Sequence, residues 1–135
     1  MNVENIISTI IKCAWNVRNA LPPGYLEMVY RNALLIELME AGLNAEKEVP
    51  TIVTYKGQVI GEYRMDLVVN KSVVVELKAT EQNNPVYSIQ LVNYLMASGI
   101  DNGLLINYGE TSFRPIRKYR TYTPSTKESK SRTLY

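Results

Sequence analysis

The segment Tyr63-Arg64-Met65-Asp66-Leu67-Val68-Val69-Asn70-Lys71-Ser72-Val73-Val74-Val75-Glu76-Leu77-Lys78 decides how this 135-residue chain is read. Two apolar, β-branched runs flank a short turn at Asn70-Lys71, which predicts an antiparallel pair of strands over 58–69 and 73–79. With the turn centred there, Asp66 falls nearly opposite Val75 and Glu76, so the two carboxylates approach each other. Side chains alternate along a strand, which puts Glu76 and Lys78 on one face and Val75 and Leu77 on the other. Three ionisable groups therefore converge beside an apolar core.

An exposed ion pair between Glu76 and Lys78, with Asp66 as a turn or surface residue, is the ordinary alternative. Val73-Val74-Val75 leads directly into Glu76, however, so the strand is apolar on both faces and solvation alone is a poor account of its charges. Two carboxylates this close repel each other unless a cation neutralises them. A hard divalent ion such as Mg²⁺ takes oxygen ligands and keeps several waters, so one or two carboxylates and a backbone carbonyl suffice. Such an ion polarises a phosphodiester, while Lys78 positions the attacking water or offsets developing charge.

Outward from this pair, Val49 to Tyr55 predicts a preceding strand joined through Lys56-Gly57, with an irregularity near Gly61. Val3, Ile7, Ile10, Ala14, Val17 and Leu21 recur at helical spacing, which predicts a core-facing helix over 3–20 ended by Pro22-Pro23-Gly24. A second helix is expected over 25–41, capped at Gly42. Val86 to Ser98 returns to helical spacing, and Gly103 to Tyr108 suits a buried strand that has crossed back over the sheet. Residues 113–119 add an edge strand. The expected fold is α/β, a sandwich with a mixed sheet flanked by helices and one face more heavily covered.

Gln90 and Tyr94 stand four apart on the third helix and share a face. Gln90 is placed to hydrogen-bond a water or a metal ligand, and Tyr94 to meet a phosphate or stack on a base. Glu27 on the second helix is a further candidate carboxylate. Taken alone, a solvated Gln, a half-buried Tyr and a surface helix Glu are the commoner arrangements.

Composition narrows the chemistry. Hydrophobic residues make up 46% and charged residues 21%, as in a soluble globular domain, and the length suits one domain. There is no histidine, and Cys13 is the sole cysteine. A Ser-His-Asp triad, a Cys-His pair, a Cys/His zinc site and an intrachain disulfide are thereby excluded. No Gly-rich phosphate loop is present. No apolar run reaches the roughly 18 residues of a membrane helix, and Glu4 sits where a signal peptide carries positive charge, so a cytoplasmic protein without membrane association is expected. Residues 114–135 hold seven basic residues against one acidic, whereas 1–113 hold eight against twelve.

With these residues in view, the sequence resembles the GxxExxY proteins. Gly24-Tyr25-Leu26-Glu27-Met28-Val29-Tyr30 matches their naming signature. The likeness continues through Tyr55-Lys56-Gly57, Tyr63 to Asp66, Glu76-Leu77-Lys78, Gln90 to Leu95 and Gly103 to Tyr108. That family is similar to the PD-(D/E)XK nuclease superfamily, so the resemblance implies a restriction-endonuclease-like α-β-β-β-α-β core over residues 1–120. It implies Asp66 and Glu76 as metal ligands, Lys78 as the catalytic lysine, Gln90 and Tyr94 as a Q-x-x-x-Y element, and Glu27 as a helical acidic residue directed at the metal. Arg18 and Tyr87 stand where the family usually carries histidines, and Pro22 replaces its first turn glycine.

The leading expectation is a metal-dependent nuclease in which Asp66, Glu76 and the Leu77 carbonyl hold Mg²⁺ or Mn²⁺ and Lys78, Gln90 and Tyr94 act on the phosphodiester. The substrate expected is nucleic acid, DNA ahead of RNA. Arg114, Arg117, Lys118 and Arg120 are expected to add salt-sensitive phosphate attraction. A homodimer is expected, and 121–135 reads as a basic mobile tail, with a merely solubilising extension as the alternative. The competing function is a non-catalytic nucleic-acid or protein interaction module on the same fold.

Overall fold

The computed structural model describes residues 1–120; the segment 121–135, with the tail expected there, lies outside the described residues. Three helices and five strands follow in the order α1 (Val3–Ala20), α2 (Glu27–Glu40), β1 (Ala45–Tyr55), β2 (Gln58–Val69), β3 (Val73–Lys78), α3 (Pro85–Ser98), β4 (Asn102–Asn107) and β5 (Ile116–Tyr119). The strands form one sheet in the order β1-β2-β3-β4-β5. Only β3 and β4 are parallel, because α3 carries the chain back over the sheet between them; the other pairs are antiparallel.

The apolar stripe of α1 (Ile6, Ile7, Ile10, Cys13, Ala14, Val17) and that of α2 (Tyr30, Leu34, Leu38) cover one face of the sheet against Leu67, Val75, Leu77, Leu104 and Ile106. On the other face lies α3, whose Leu91, Tyr94 and Leu95 pack with Met65, Val68, Val74 and Leu105. Two helices against one is the unequal coverage expected. α1 starts on Asn2, whose side chain accepts the Asn5 N–H, and α3 starts on Asn84 followed by Pro85 and ends at left-handed Gly99. The α3 seat depends on Gly103, since a Cβ there would crowd the Leu91 side chain at 3.0–3.2 Å.

Some boundaries differ from the expectation for identifiable reasons. α2 begins at Glu27 rather than Tyr25, because Leu26 is extended and the Tyr25 N–H donates to the Tyr30 hydroxyl. β1 begins at Ala45 rather than Val49: Ala45–Lys47 pair with Val69–Leu67, and Glu48, in the left-handed region at φ 52°, interrupts the pattern that would reveal them. β5 is cut short at Pro115, which has no N–H for a ladder. The irregularity near Gly61 is an extra residue at Ile60, between the Thr54–Val59 and Val53–Gly61 pairs.

Pairing of β2 with β3 is confined to Leu67–Val69 against Val73–Val75. Beyond Leu67 the two strands part, and the far half of the β1–β2 hairpin runs on past the end of β3. That splay, flanked by α2 on one face and α3 on the other, is where the polar residues of the quoted segment gather.

Candidate active site

The turn expected at Asn70-Lys71 forms, with both residues left-handed (φ 50° and 54°) and the Ser72 N–H donating to the Val69 carbonyl. Counting on from the Leu67–Val75 pair puts Asp66 opposite Glu76. Here carboxylates replace the ladder: the Asp66 N–H donates to Glu76 Oε1 at 3.0 Å, and the Leu77 N–H donates to Asp66 Oδ2 at 2.8 Å. The alternation of faces also breaks at Asp66, since Met65 and Val68, three residues apart, join the same cluster.

Glu76 is 4% exposed, yet its second oxygen, like that of Asp66, makes no hydrogen bond among the described residues and keeps contact with solvent. Burial, then the Asp66 charge, push the Glu76 carboxyl up to about 8, although the Asp66 N–H and Lys78 act against this. Burial raises the Asp66 carboxyl too, opposed by the Leu77 hydrogen bond, Lys78 and Arg31. The pair is thus short of positive charge. Extended backbone projects the N–H and C=O of one residue from the same edge, so the Leu77 carbonyl faces the same gap as its N–H.

This donor set fits a hard divalent ion: it is all oxygen, each carboxylate keeps a free oxygen, and the pair gains from added positive charge. The described residues hold no cluster of three or more acidic, His or Cys side chains arranged for a metal, so the carboxylate pair and the carbonyl are the donors at hand. Glu27 opens α2 at the rim of the splay, half-buried, and its carboxyl is raised by burial and by the Asp66 charge. Asp66, Glu76 and Leu77 are brought together; Glu27 stands near them as a charge.

Lys78 leaves β3 two residues beyond Glu76. Its Nζ donates to Gln90 Oε1 at 3.2 Å and lies 4.8 Å from the centre of the Tyr87 ring. Gln90 and Tyr94 share a face of α3, as their spacing requires. Tyr94 is 7% exposed, and burial followed by the Glu76 and Asp66 charges pushes its phenol up to about 12, so it is a neutral hydrogen-bond donor at physiological pH. Its ring meets that of Tyr63 at 5.6 Å.

Arg117, Lys118 and Arg120 lie away from this site. Pairing with β4 carries Arg117 to Leu104 and Lys118 to Gly103, and the Arg120 N–H donates to the Asp101 carbonyl, all towards the end of β4 away from Lys78. Arg117 forks onto both Glu4 oxygens at 2.8 Å and also reaches Asn102, while Arg120 pairs with Asp101 at 2.8 Å. Arg114 is exposed and Lys118 half-buried, and neither forms an ion pair among the described residues. Arg18 makes no hydrogen bond or ion pair with the carboxylates among the described residues. Its guanidinium donates to the Tyr108, Glu110 and Thr111 carbonyls and covers Phe113, which makes it a staple for the loop after β4.

Sequence reasoning missed Tyr63, Arg31 and Glu48. Arg31 pairs with Glu48 at 3.2 Å and offsets the negative charge felt by Glu27 and Asp66. Its i, i+4 spacing from Glu27 was a legible signal. Tyr63 carried none, because strand alternation puts a residue three before Asp66 on the opposite face.

A mixed sheet splayed at its centre, with two carboxylates and a lysine at the splay, defines a restriction-endonuclease-like α/β domain. The family model of the PD-(D/E)XK nuclease superfamily matches residues 4–119, and the chain belongs to that superfamily. The superfamily points to nuclease-type function on nucleic acid, typically with divalent metals. The fold is also similar to that in the "Crystal structure of SSO0001", at TM-score 0.58 and 22% identity over 72% of this chain. The match spans 51% of the SSO0001 chain. No curated protein matches the sequence. Among the described residues no helix is long and apolar enough to cross a membrane.

Proposed function

We propose that this protein is a divalent-ion-dependent nuclease that hydrolyses phosphodiester bonds of nucleic acid. The observation that carries the reading is the reciprocal bonding of Asp66 and Glu76 at the splay. It fixes two carboxylates side by side, each with one oxygen to spare, beside a lysine two residues on. Asp66, Glu76 and the Leu77 carbonyl would hold Mg²⁺ or Mn²⁺, with Glu27 adding negative charge from the rim. When bound, the ion supplies positive charge that polarises the phosphodiester and acidifies the attacking water.

The chain's own residues do the rest. Lys78, aimed by Gln90 and steadied by Tyr87, presents an ammonium to the scissile phosphate and offsets charge that develops on it. The neutral Tyr94 hydroxyl donates to a phosphate oxygen. Arg114 and Lys118 contribute longer-range attraction that weakens with salt, whereas Arg117 and Arg120 are already neutralised by acidic partners.

The test is cleavage of single- and double-stranded DNA and RNA with Mg²⁺ or Mn²⁺, by the wild type and by Lys78→Ala and Asp66→Asn. Metal-dependent cleavage that falls in both variants is expected. Cleavage undiminished in both would assign the activity elsewhere. Nucleic-acid binding without turnover in the wild type would favour an interaction module.

A further inference from the structure

Beside Lys78, the overhanging β1–β2 hairpin and α3 enclose a cleft of about 840 Å³, within the roughly 300–1,000 Å³ typical of small-ligand sites. We infer that this cleft binds an unpaired nucleobase, making single-stranded nucleic acid the preferred substrate; the inference rests on the nuclease reading for the site next to it.

Tyr63 on the hairpin and Tyr87 on α3 belong to the cleft lining, together with Ile52 and Val86. Aromatic and apolar walls of this kind receive the flat, poorly hydrated face of a base. Lys78, Gln90 and Tyr94 line the same cleft, so it is continuous with the catalytic groups. A base held there belongs to the strand whose phosphate meets Lys78.

Among the described residues Lys78 is the one charged member of the lining, so affinity in the cleft comes from stacking and hydrogen bonding more than from phosphate attraction. A duplex offers the cleft nothing comparable, because its bases are stacked on one another, and its recognition needs a basic face. Residues 1–113 carry the opposite balance, eight basic against twelve acidic, and two of the four basic residues in 114–120 are paired internally. Tyr63 is 48% exposed and its ring meets that of Tyr94 at 5.6 Å, so aromatic surface remains accessible in the cleft. Asn93 and Gln90, at the α3 side of the cleft, present amides that can pair with a base edge.

A short single-stranded DNA carrying one 2-aminopurine, titrated with and without Ca²⁺, reports stacking by loss of fluorescence. Wild type and Tyr63→Phe are expected to quench it, and Tyr63→Leu to bind roughly five- to a hundredfold more weakly with the quench relieved, the range expected for loss of one base–aromatic stack. In Mg²⁺, the wild type should cut single strands in preference to a fully paired duplex, and Tyr63→Leu should lose that preference. Absence of quenching under both conditions, or equal affinity of Tyr63→Leu and wild type, overturns the cleft assignment. If Lys78-dependent cleavage persists in that case, the nuclease reading survives alone. Tyr63-dependent quenching without any cleavage would uphold the cleft and remove the nuclease reading.

Discussion

Asp66 and Glu76 hold each other through the main chain: the amide of Asp66 donates to the Glu76 carboxylate, and the amide after Glu76 donates to the Asp66 carboxylate. Each acid thereby satisfies an N–H that the parting strands would otherwise leave without a partner. The strands separate and the carboxylates come together for the same reason. Charge is the cost of the arrangement, and it generates a pH dependence.

Glu76 takes up its proton at about 8 in the folded protein, against 4.5 for a free glutamate. Between those values the folded state holds a proton that the unfolded chain has released, so this contribution to stability is complete at low pH and is lost as pH rises through about 8. A divalent ion competes with that proton and binds more tightly as it leaves. The thermal shift produced by Mn²⁺ should therefore be larger at about pH 9 than at about pH 6, and Glu76→Gln should flatten the difference. A Mn²⁺ shift equal at both pH values would contradict the proton competition.

Lys78 is aimed by Gln90 rather than by a carboxylate. Gln90→Leu removes the acceptor and keeps the helix, so folding should be unaffected while kcat falls by about tenfold, the lower end of what a hydrogen bond to a charged group is worth. Lys78→Ala should cost far more, about a hundredfold or above, as loss of a charge-stabilising donor does. Steady-state cleavage of one substrate by the three proteins checks the order; a Gln90→Leu loss as large as that of Lys78→Ala would make Gln90 a direct participant.

The hairpin register and the shared face of Gln90 and Tyr94 were legible in the sequence because both follow from local periods, two for the strand and 3.6 for the helix. Counting from Asn70-Lys71 was enough to oppose Asp66 and Glu76. Contacts that depend on the crossover were not. Lys78 meets Gln90 and Tyr87 only once α3 has crossed to its side of the sheet, and Arg117 is neutralised by Glu4, 113 positions away. The Asp101 partner of Arg120 was hidden in the same way, because sequence shows charge without partners. Glu48 concealed the start of β1 for a different reason, since a left-handed glutamate inside a strand has no composition signal.

Arg18 shows the same limit. Its guanidinium ties α1 to the Tyr108, Glu110 and Thr111 carbonyls, contacts about 90 positions away in sequence. Arg18→Ala should lower stability by about 1–3 kcal/mol, the usual cost of losing hydrogen bonds to a charged group, and leave Mn²⁺ affinity within about twofold. Denaturant unfolding together with a Mn²⁺ titration separates the two effects; weakened metal binding at unchanged stability would move Arg18 into the site.

Gly109 supports the site from behind. A Cβ on it would run into the Thr80 backbone, and the Tyr108 N–H donates to the Lys78 carbonyl at 2.8 Å, so the end of β4 locks the end of β3 where Lys78 emerges. Asn107 adds to the lock, its Oδ1 accepting the N–H groups of both Thr80 and Gly109. Gly109→Ala cannot be absorbed by a side-chain rotation, because the atoms in the way are main chain. It should destabilise the fold by about 1–3 kcal/mol, as overpacking does. Because the displaced segment begins two residues after Lys78, cleavage should also fall at temperatures where the variant remains fully folded. Unfolding midpoints and rates measured side by side decide this: a destabilised variant with wild-type activity when folded would mean that Lys78 is held by Gln90 and Tyr87 alone.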